Sequence, residues 1–187
     1  GMVINIGYDP RELYSPLYIE TLVHEFAHHT HSVDMRADPL LKYSGAHECV
    51  EAPSLETCRQ YQSGFGDYLR AFWWQDSDGF AYHEDYNGNY RLIDAPDDFV
   101  STYAASNAYE DFAESFTAAV LDEWYYARKS DEVGAAKIKF FRDTDSKFSD
   151  QVHAISQGLM DAFEISDPIG LYSDLYSVGL GRYLTAL

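Results

Sequence analysis

The chain has 187 residues, of which 46% are hydrophobic and 16% aromatic, so it is long and apolar enough to bury a core and is not a disordered chain. Its 13 Lys and Arg residues against 31 Asp and Glu residues give a formal net charge of -18, which repels phosphate backbones and anionic lipid surfaces. This charge argues against nucleic acid as a partner. It leaves two interpretations open, namely high solubility alone or a preference for cationic substrates.

The sequence predicts an exported protein without a membrane span. No apolar run approaches the roughly 18 residues of a membrane-spanning helix, and the N-terminus lacks the features of a signal peptide. Gly1 before Met2 is typical of a cleaved expression tag, so we expect a native signal region to have been removed. Cys49 and Cys58 lie nine residues apart. A disulfide between them would suit a secreted, periplasmic or cell-surface protein, and two reduced, buried thiols are the alternative.

The first elements predicted are a strand and a long helix. "VINIGY", residues 3–8, indicates a short strand, and the turn residues "DPRELYSP" follow it. Ser15 before Pro16 is typical of a helix start, with Ser as the cap and Pro at the first helical position. Apolar residues then recur at helical spacing, which predicts a helix from about Pro16 to about His31.

The middle of the chain carries weaker patterns. Residues 32–55 are predicted to be irregular because Pro and Gly interrupt any period. Residues 56–74 indicate a helix that is broken near Gly64 and Gly66. The Asn-Gly pair at residues 87–88 lies between alternating aromatic flanks, which predicts a β-hairpin.

The C-terminal part is predicted to be helical. "NAYEDFAESFTAAVLDEWYYARK" has one apolar face and Asn107 as a plausible cap, so it is the best helix in the sequence. Two further helices are predicted at about residues 131–142 and 149–164.

The first helix carries a pattern of metal-ligand residues, "HEFAH". His24 and His28 are four residues apart, so on a helix their imidazoles can converge on one ion. Glu25 lies about 100° round the helix, close enough to act as a general base on a water at that ion. Zinc suits imidazole ligands and lowers the pKa of a bound water to about 7. His29 and His31 are expected to be solvated or to support the site without binding the metal.

Two residues are candidates for the third ligand. Asp34 lies ten residues after His24, a spacing used by zinc peptidases that have a glycine where this chain has His31. Glu110 is expected in the first turn of the second major helix, from which it could approach the first. The alternative for Glu110 is a capping box, in which its side chain would bind the backbone amide of Asn107. The spacing alone leaves this choice open.

The motif "HEFAH", followed by a Tyr, six residues, a Glu and "FAESF", resembles the gluzincins of the anthrax lethal factor-like group, to which the bacterial Pro-Pro endopeptidases are related. The resemblance implies that His24, His28 and Glu110 bind zinc and that Glu25 is the general base. It also implies that Tyr103 steadies the tetrahedral intermediate.

The resemblance further implies a fold and a function. The fold would be a helix-rich α+β zincin-like domain with a small sheet, with an N-terminal lobe at about residues 1–34 and a C-terminal helical lobe at about residues 100–187. The function would be that of a zinc metalloendopeptidase acting on a peptide or protein substrate. Two alternatives stay open: a non-catalytic binding or accessory module, and a zincin with Asp34 as the third ligand.

Asp111 and Glu114 flank the candidate ligand Glu110. One of them could accept a hydrogen bond from a ligating imidazole and fix its tautomer. Glu114 is the better candidate because it lies on the same helix face as Glu110.

Overall fold

The computed structural model describes residues 16–37, 63–73, 98–121, 133–143 and 145–163. These residues form five α-helices and one 3-10 helix: α1 Pro16–Ala37, α2 Gly64–Phe72, the 3-10 helix Ala104–Ser106, α3 Ala108–Leu121, α4 Val133–Arg142 and α5 Ser149–Phe163. No helix within these ranges is long and apolar enough to cross a membrane.

The predicted α+β fold class is wrong. The described residues are 84% helical and contain no strand, so the fold is helical. On α1 the buried residues recur every three to four positions, which produces an apolar stripe on a helix, whereas α3 is buried continuously from Ser115 to Leu121 at the centre of the bundle. The strand predicted at residues 3–8 and the hairpin predicted at about residues 80–94 lie outside the described residues.

The first helix is longer than predicted. α1 begins at Pro16, as the sequence indicated, but it continues to Ala37, six residues beyond His31. The reason is local, because the sequence has no Gly or Pro after Pro16 until Pro39.

The second helix begins at a glycine and contains another. α2 starts at Gly64 and includes Gly66, so the predicted break at Gly66 is wrong. Ser63 caps it, because its Oγ accepts the Gly66 N–H at 3.0 Å. A Cβ on Gly64 would lie 2.7 Å from two ring carbons of Phe148. The glycine therefore allows the start of α2 to approach Phe148, just before α5, more closely than any side chain would permit.

The three C-terminal helices form where they were predicted as far as the described residues extend, and the predicted continuation of α3 over residues 122–129 lies outside them. α4 and α5 lie within the predicted ranges 131–142 and 149–164. α3 follows Asn107, whose side-chain Oδ1 accepts the backbone N–H groups of Tyr109 at 3.0 Å and Glu110 at 3.1 Å. This confirms the predicted cap.

The helices share one core of aliphatic and aromatic side chains. α1 contributes Ile19, Val23 and Ala27, which recur every four residues on one face, and it packs chiefly against α3. The centre of the core is Phe112 of α3, which is fully buried. Its ring centroid lies 4.9–5.3 Å from those of four other aromatic residues: Phe65, Tyr68, Phe141 and Phe148.

A buried ion pair joins α3 to α4. The Asp111 carboxylate and the Lys137 ammonium are both fully buried, and Asp111 Oδ2 lies 2.8 Å from Lys137 Nζ. The same oxygen accepts the Trp73 indole N–H and the Tyr68 hydroxyl, each at 2.8 Å. Lys137 also donates to the Asp98 carbonyl at 2.7 Å. Burial raises the pKa of Asp111 and lowers that of Lys137, and each charge opposes the effect of burial on the other.

We expect Lys137→Met to lower the free energy of unfolding by about 3–5 kcal/mol, because it leaves the buried Asp111 carboxylate without its countercharge. The matched control is Lys139→Met on the same helix, where the side chain is exposed and the change should cost less than about 0.5 kcal/mol. Urea unfolding followed by circular dichroism measures both. Equal losses in the two variants would contradict a role for the ion pair.

Candidate metal site

The packing of α1 against α3 brings three predicted ligand residues together. His24 and His28 lie one turn apart on α1, and their Nε2 atoms are 2.9 Å from each other. Glu110, in the first turn of α3, places Oε2 at 3.1 Å from His24 Nε2 and 3.0 Å from His28 Nε2. One carboxylate oxygen and two imidazole nitrogens therefore converge on a single point.

The outer nitrogen of His24 is held by a second carboxylate. His24 Nδ1 lies 2.7 Å from Glu114 Oε1, and the other oxygen of Glu114 accepts the Ser101 hydroxyl at 2.6 Å. Burial alone would raise the pKa of Glu114, but the hydrogen bonds from His24 and Ser101 outweigh burial and lower it. An ionised carboxylate only accepts hydrogen bonds, so His24 carries a proton on Nδ1 and its Nε2 faces Glu110.

The outer nitrogen of His28 also has a partner. His28 Nδ1 lies 3.0 Å from His31 Nε2, and the two rings meet edge to face with their centroids 5.3 Å apart. The Nδ1 atom of each imidazole thus has its own partner on the side of the ring away from the shared point: Glu114 for His24 and His31 for His28. This leaves their Nε2 atoms for whatever occupies the shared point.

The convergence requires a proton or a metal ion between the three inward atoms. When both imidazoles are neutral with a proton on Nδ1, the three inward atoms are all hydrogen-bond acceptors and repel one another. Burial alone would lower the pKa of His24, but Glu114, Glu110 and Glu25 outweigh burial and raise it above its ordinary value. The carboxylates therefore stabilise a cation at this point, which can be a proton or a metal ion.

The two predicted catalytic residues flank the cluster. Glu25 is exposed on α1, and its charge contributes to the raised pKa values of both His24 and Tyr103. Tyr103 is 55% exposed, and its ring centroid lies 5.8 Å from that of His24. The charge of Glu110 is the main cause of the raised pKa of Tyr103, and a hydrogen bond to Glu110 adds to it.

The other candidate ligand, Asp34, lies away from the cluster. Because α1 does not turn after His28, Asp34 is six helical residues further on, which is about 9 Å along the axis. Its Oδ2 accepts the Phe65 N–H at 2.7 Å, at the start of α2, and the residue lines a separate cavity of about 420 Å³ with Lys147. The three ligand residues described above are the single His, Cys, Asp and Glu group of metal-binding size in the described part of the chain.

The structure places some of the other residues named from the sequence where they were expected and others elsewhere. Glu114 contacts a candidate ligand, as expected, whereas Asp111 points into the core. His29 is exposed, but His31 is only 4% exposed and is not solvated. Cys49 and Cys58 lie outside the described residues, and so does their predicted disulfide.

Sequence reasoning missed Ser101. Its Oγ accepts the Ala104 N–H at 3.0 Å while it donates to Glu114, so one hydroxyl fixes both the 3-10 helix and the carboxylate behind His24. The available signal was a Ser three residues before a local helix start, which is typical of a capping side chain.

No protein-family model, curated protein or solved structure matches this chain. Functional inference therefore rests on the residues of the site and their geometry.

We expect Asp34→Ala to lower the free energy of unfolding by about 1–2 kcal/mol, because the Phe65 N–H at the start of α2 loses its acceptor. Asp34→Asn keeps a side-chain oxygen and should cost less. Thermal or urea unfolding of the two variants checks the difference. An Asp34→Ala protein as stable as the wild type would show that this hydrogen bond does not hold α2 to α1.

Proposed function

We propose that this chain is a zinc-dependent metallopeptidase of the gluzincin type, with His24, His28 and Glu110 as the zinc ligands and a peptide or protein as the substrate. One observation carries the proposal: two Nε2 atoms and one carboxylate oxygen converge within 3.1 Å of each other, while both Nδ1 atoms are engaged from behind. That arrangement suits a cation with imidazole and carboxylate ligands.

The spacing of the three atoms supports a tetrahedral zinc ion. Ligand atoms at about 2.0–2.1 Å from a tetrahedral zinc lie about 3.3 Å from one another. The observed separations of 2.9, 3.0 and 3.1 Å differ from this by a few tenths of an ångström. Two histidines and one glutamate leave the fourth position open, which is the pattern of catalytic rather than structural zinc sites.

Zinc bound by these ligands would polarise the carbonyl of a peptide bond and acidify a water molecule. Glu25 would take the proton of the attacking water and pass it to the leaving amine. Its exposure on α1, beside the ligands but outside the cluster, supports that role because it can reach both solvent and substrate.

Tyr103 would donate its phenolic hydrogen to the oxygen that becomes negative during the attack. The position of Tyr103 supports this role, because the side chain is 55% exposed and its ring centroid lies 5.8 Å from that of His24, so the phenol is accessible to a substrate beside the ligands. Its backbone carbonyl accepts the Ser106 N–H at 3.0 Å, so the turn that carries Tyr103 is held by the 3-10 helix. One such donor is typically worth about 3–4 kcal/mol of the activation barrier.

We expect about one zinc per chain in the wild type after dialysis, and a more than roughly hundredfold weaker affinity in Glu110→Gln, which exceeds the usual effect of an outer hydrogen-bond partner. Asp34→Asn is the matched control and should retain the metal. Zinc is measured by atomic absorption or by competition with a chromophoric chelator, and circular dichroism checks the fold. Loss of zinc in Asp34→Asn, with retention in Glu110→Gln, would reject the proposed ligand set.

We expect Glu25→Gln to bind zinc like the wild type but to cleave peptides at least about a hundredfold more slowly, because it removes the general base and keeps the side chain's shape. His29→Gln is the control, since His29 is exposed on the same helix and has no proposed role. The assay is a peptide library with equal zinc loading of all proteins. If the library is cleaved and Glu25→Gln matches the wild type, the proposed mechanism is wrong. A zinc-loaded wild type that cleaves nothing would favour a binding module.

A further inference from the structure

His31 occupies a core position on α1. It continues the buried stripe of Ile19, Val23 and Ala27 at the same four-residue spacing, and it is only 4% exposed. Three aromatic rings surround it, with centroids 5.0–5.5 Å away: Phe65, Tyr109 and Phe112. An aliphatic side chain would be the usual residue at such a position.

An imidazole at this core position destabilises the folded protein relative to an apolar side chain of similar size. His31 Nε2 lies 3.0 Å from His28 Nδ1, but His31 Nδ1 is buried and has no hydrogen-bond partner among the residues that the structure describes. A buried polar atom without a partner destabilises the folded state, and an apolar residue of similar size would avoid that penalty. The Nε2 contact with His28 is therefore the polar interaction that distinguishes His31 from an apolar residue.

We propose that His31 is a positioning residue that accepts a hydrogen bond from His28 Nδ1 and so keeps the Nε2 lone pair of His28 directed at the metal. This inference rests on the proposed function, because it assigns His31 a role towards the zinc ligand His28. His31 itself does not touch the metal.

The protons can be assigned from the geometry. A neutral imidazole carries one proton, and a metal-binding Nε2 must not hold it, so the proton of His28 has to be on Nδ1. The nearest partner of that N–H is His31 Nε2, which can accept only if His31 is neutral with its own proton on Nδ1. His31 is only 4% exposed and lies among three aromatic rings, an environment that disfavours a charged imidazole. The reverse hydrogen bond would put the proton of His28 on Nε2 and block the metal.

Two substitutions of His31 distinguish the effect of losing the hydrogen-bond acceptor from the effect of losing the aromatic ring. His31→Phe keeps an aromatic ring between its three neighbours but removes the acceptor, whereas His31→Gln places an oxygen near the position of Nε2. Ile138→Val on α4 is the control for a small loss of core packing, since Ile138 is buried and α4 carries no ligand. Zinc affinity is measured by chelator competition, and thermal melting of the metal-free proteins checks the fold.

We expect His31→Phe to bind zinc about 10–100-fold more weakly than the wild type, which is the usual effect of removing an outer partner of a metal ligand. His31→Gln should recover most of that loss, and Ile138→Val should not change the affinity. Unchanged zinc affinity in a folded His31→Phe protein would overturn the role of His31 and leave the proposed function standing. A wild type that binds no zinc would overturn both.

A second measurement needs no variant. In zinc-loaded protein labelled with ¹⁵N-histidine, an N–H···N hydrogen bond gives a scalar coupling between His28 Nδ1 and His31 Nε2. We expect that coupling, with the proton assigned to His28. A proton assigned to His31 Nε2, or the absence of the coupling in a zinc-loaded protein whose His28 Nδ1–H is resolved, would overturn the inference even if His31→Phe fails to fold.

Discussion

The packing of α1 against α3 is the constraint on which the site depends. It places the Glu110 carboxylate beside two imidazoles in a partly buried environment, where the three inward atoms repel one another unless a proton or a metal ion lies between them. Two hydrophobic stripes hold the helices together, since Ala27 of α1 and Phe112 of α3 are both fully buried. The burial of apolar side chains between the helices thus offsets the repulsion between the three inward polar atoms.

Helical periodicity organises the site on both sides of this contact. On α1, His28 lies at the shared point, and His31, three residues further on, contacts the Nδ1 atom of His28. On α3, Glu110 lies at the shared point, and Glu114, four residues further on, contacts the Nδ1 atom of His24. The two supports differ in charge. Glu114 is an anion and favours positive charge on His24, whereas His31 is a neutral acceptor that orients His28 without adding a negative charge to the cluster.

Much of this arrangement was predictable from local patterns, and the remainder depended on tertiary contacts. The start of α1, the Asn107 cap and the shared face of His24 and His28 follow from rules that act within one turn of helix. The choice between Glu110 and Asp34 could not be made that way, because it depends on where the chain goes after His28. The continuation of α1 to Ala37 places Asp34 away from the two imidazoles, and the absence of any Gly or Pro between Pro16 and Pro39 was the available signal.

The predicted fold class was wrong for an identifiable reason. The α+β class was inferred from strand-like patterns at residues 3–8 and 80–94 and from a family resemblance, whereas the described segments are helical and contain no strand. For His31, the sequence predicted either a solvated residue or one that supports the site without binding the metal, and its exposure of only 4% excludes the first alternative. The four-residue spacing from Ile19 through Ala27 placed His31 in the core, and that spacing was readable from the sequence.

The buried ion pair helps to set the orientation of α3. Glu110 and Asp111 are adjacent, so their side chains point about 100° apart around the helix. Asp111 is held in the core by Lys137 and by the Trp73 indole, and that contact fixes the rotation of α3 about its axis. With Asp111 fixed inward, Glu110 must face α1. A residue with no contact to the ligand cluster therefore helps to decide which carboxylate meets the two imidazoles.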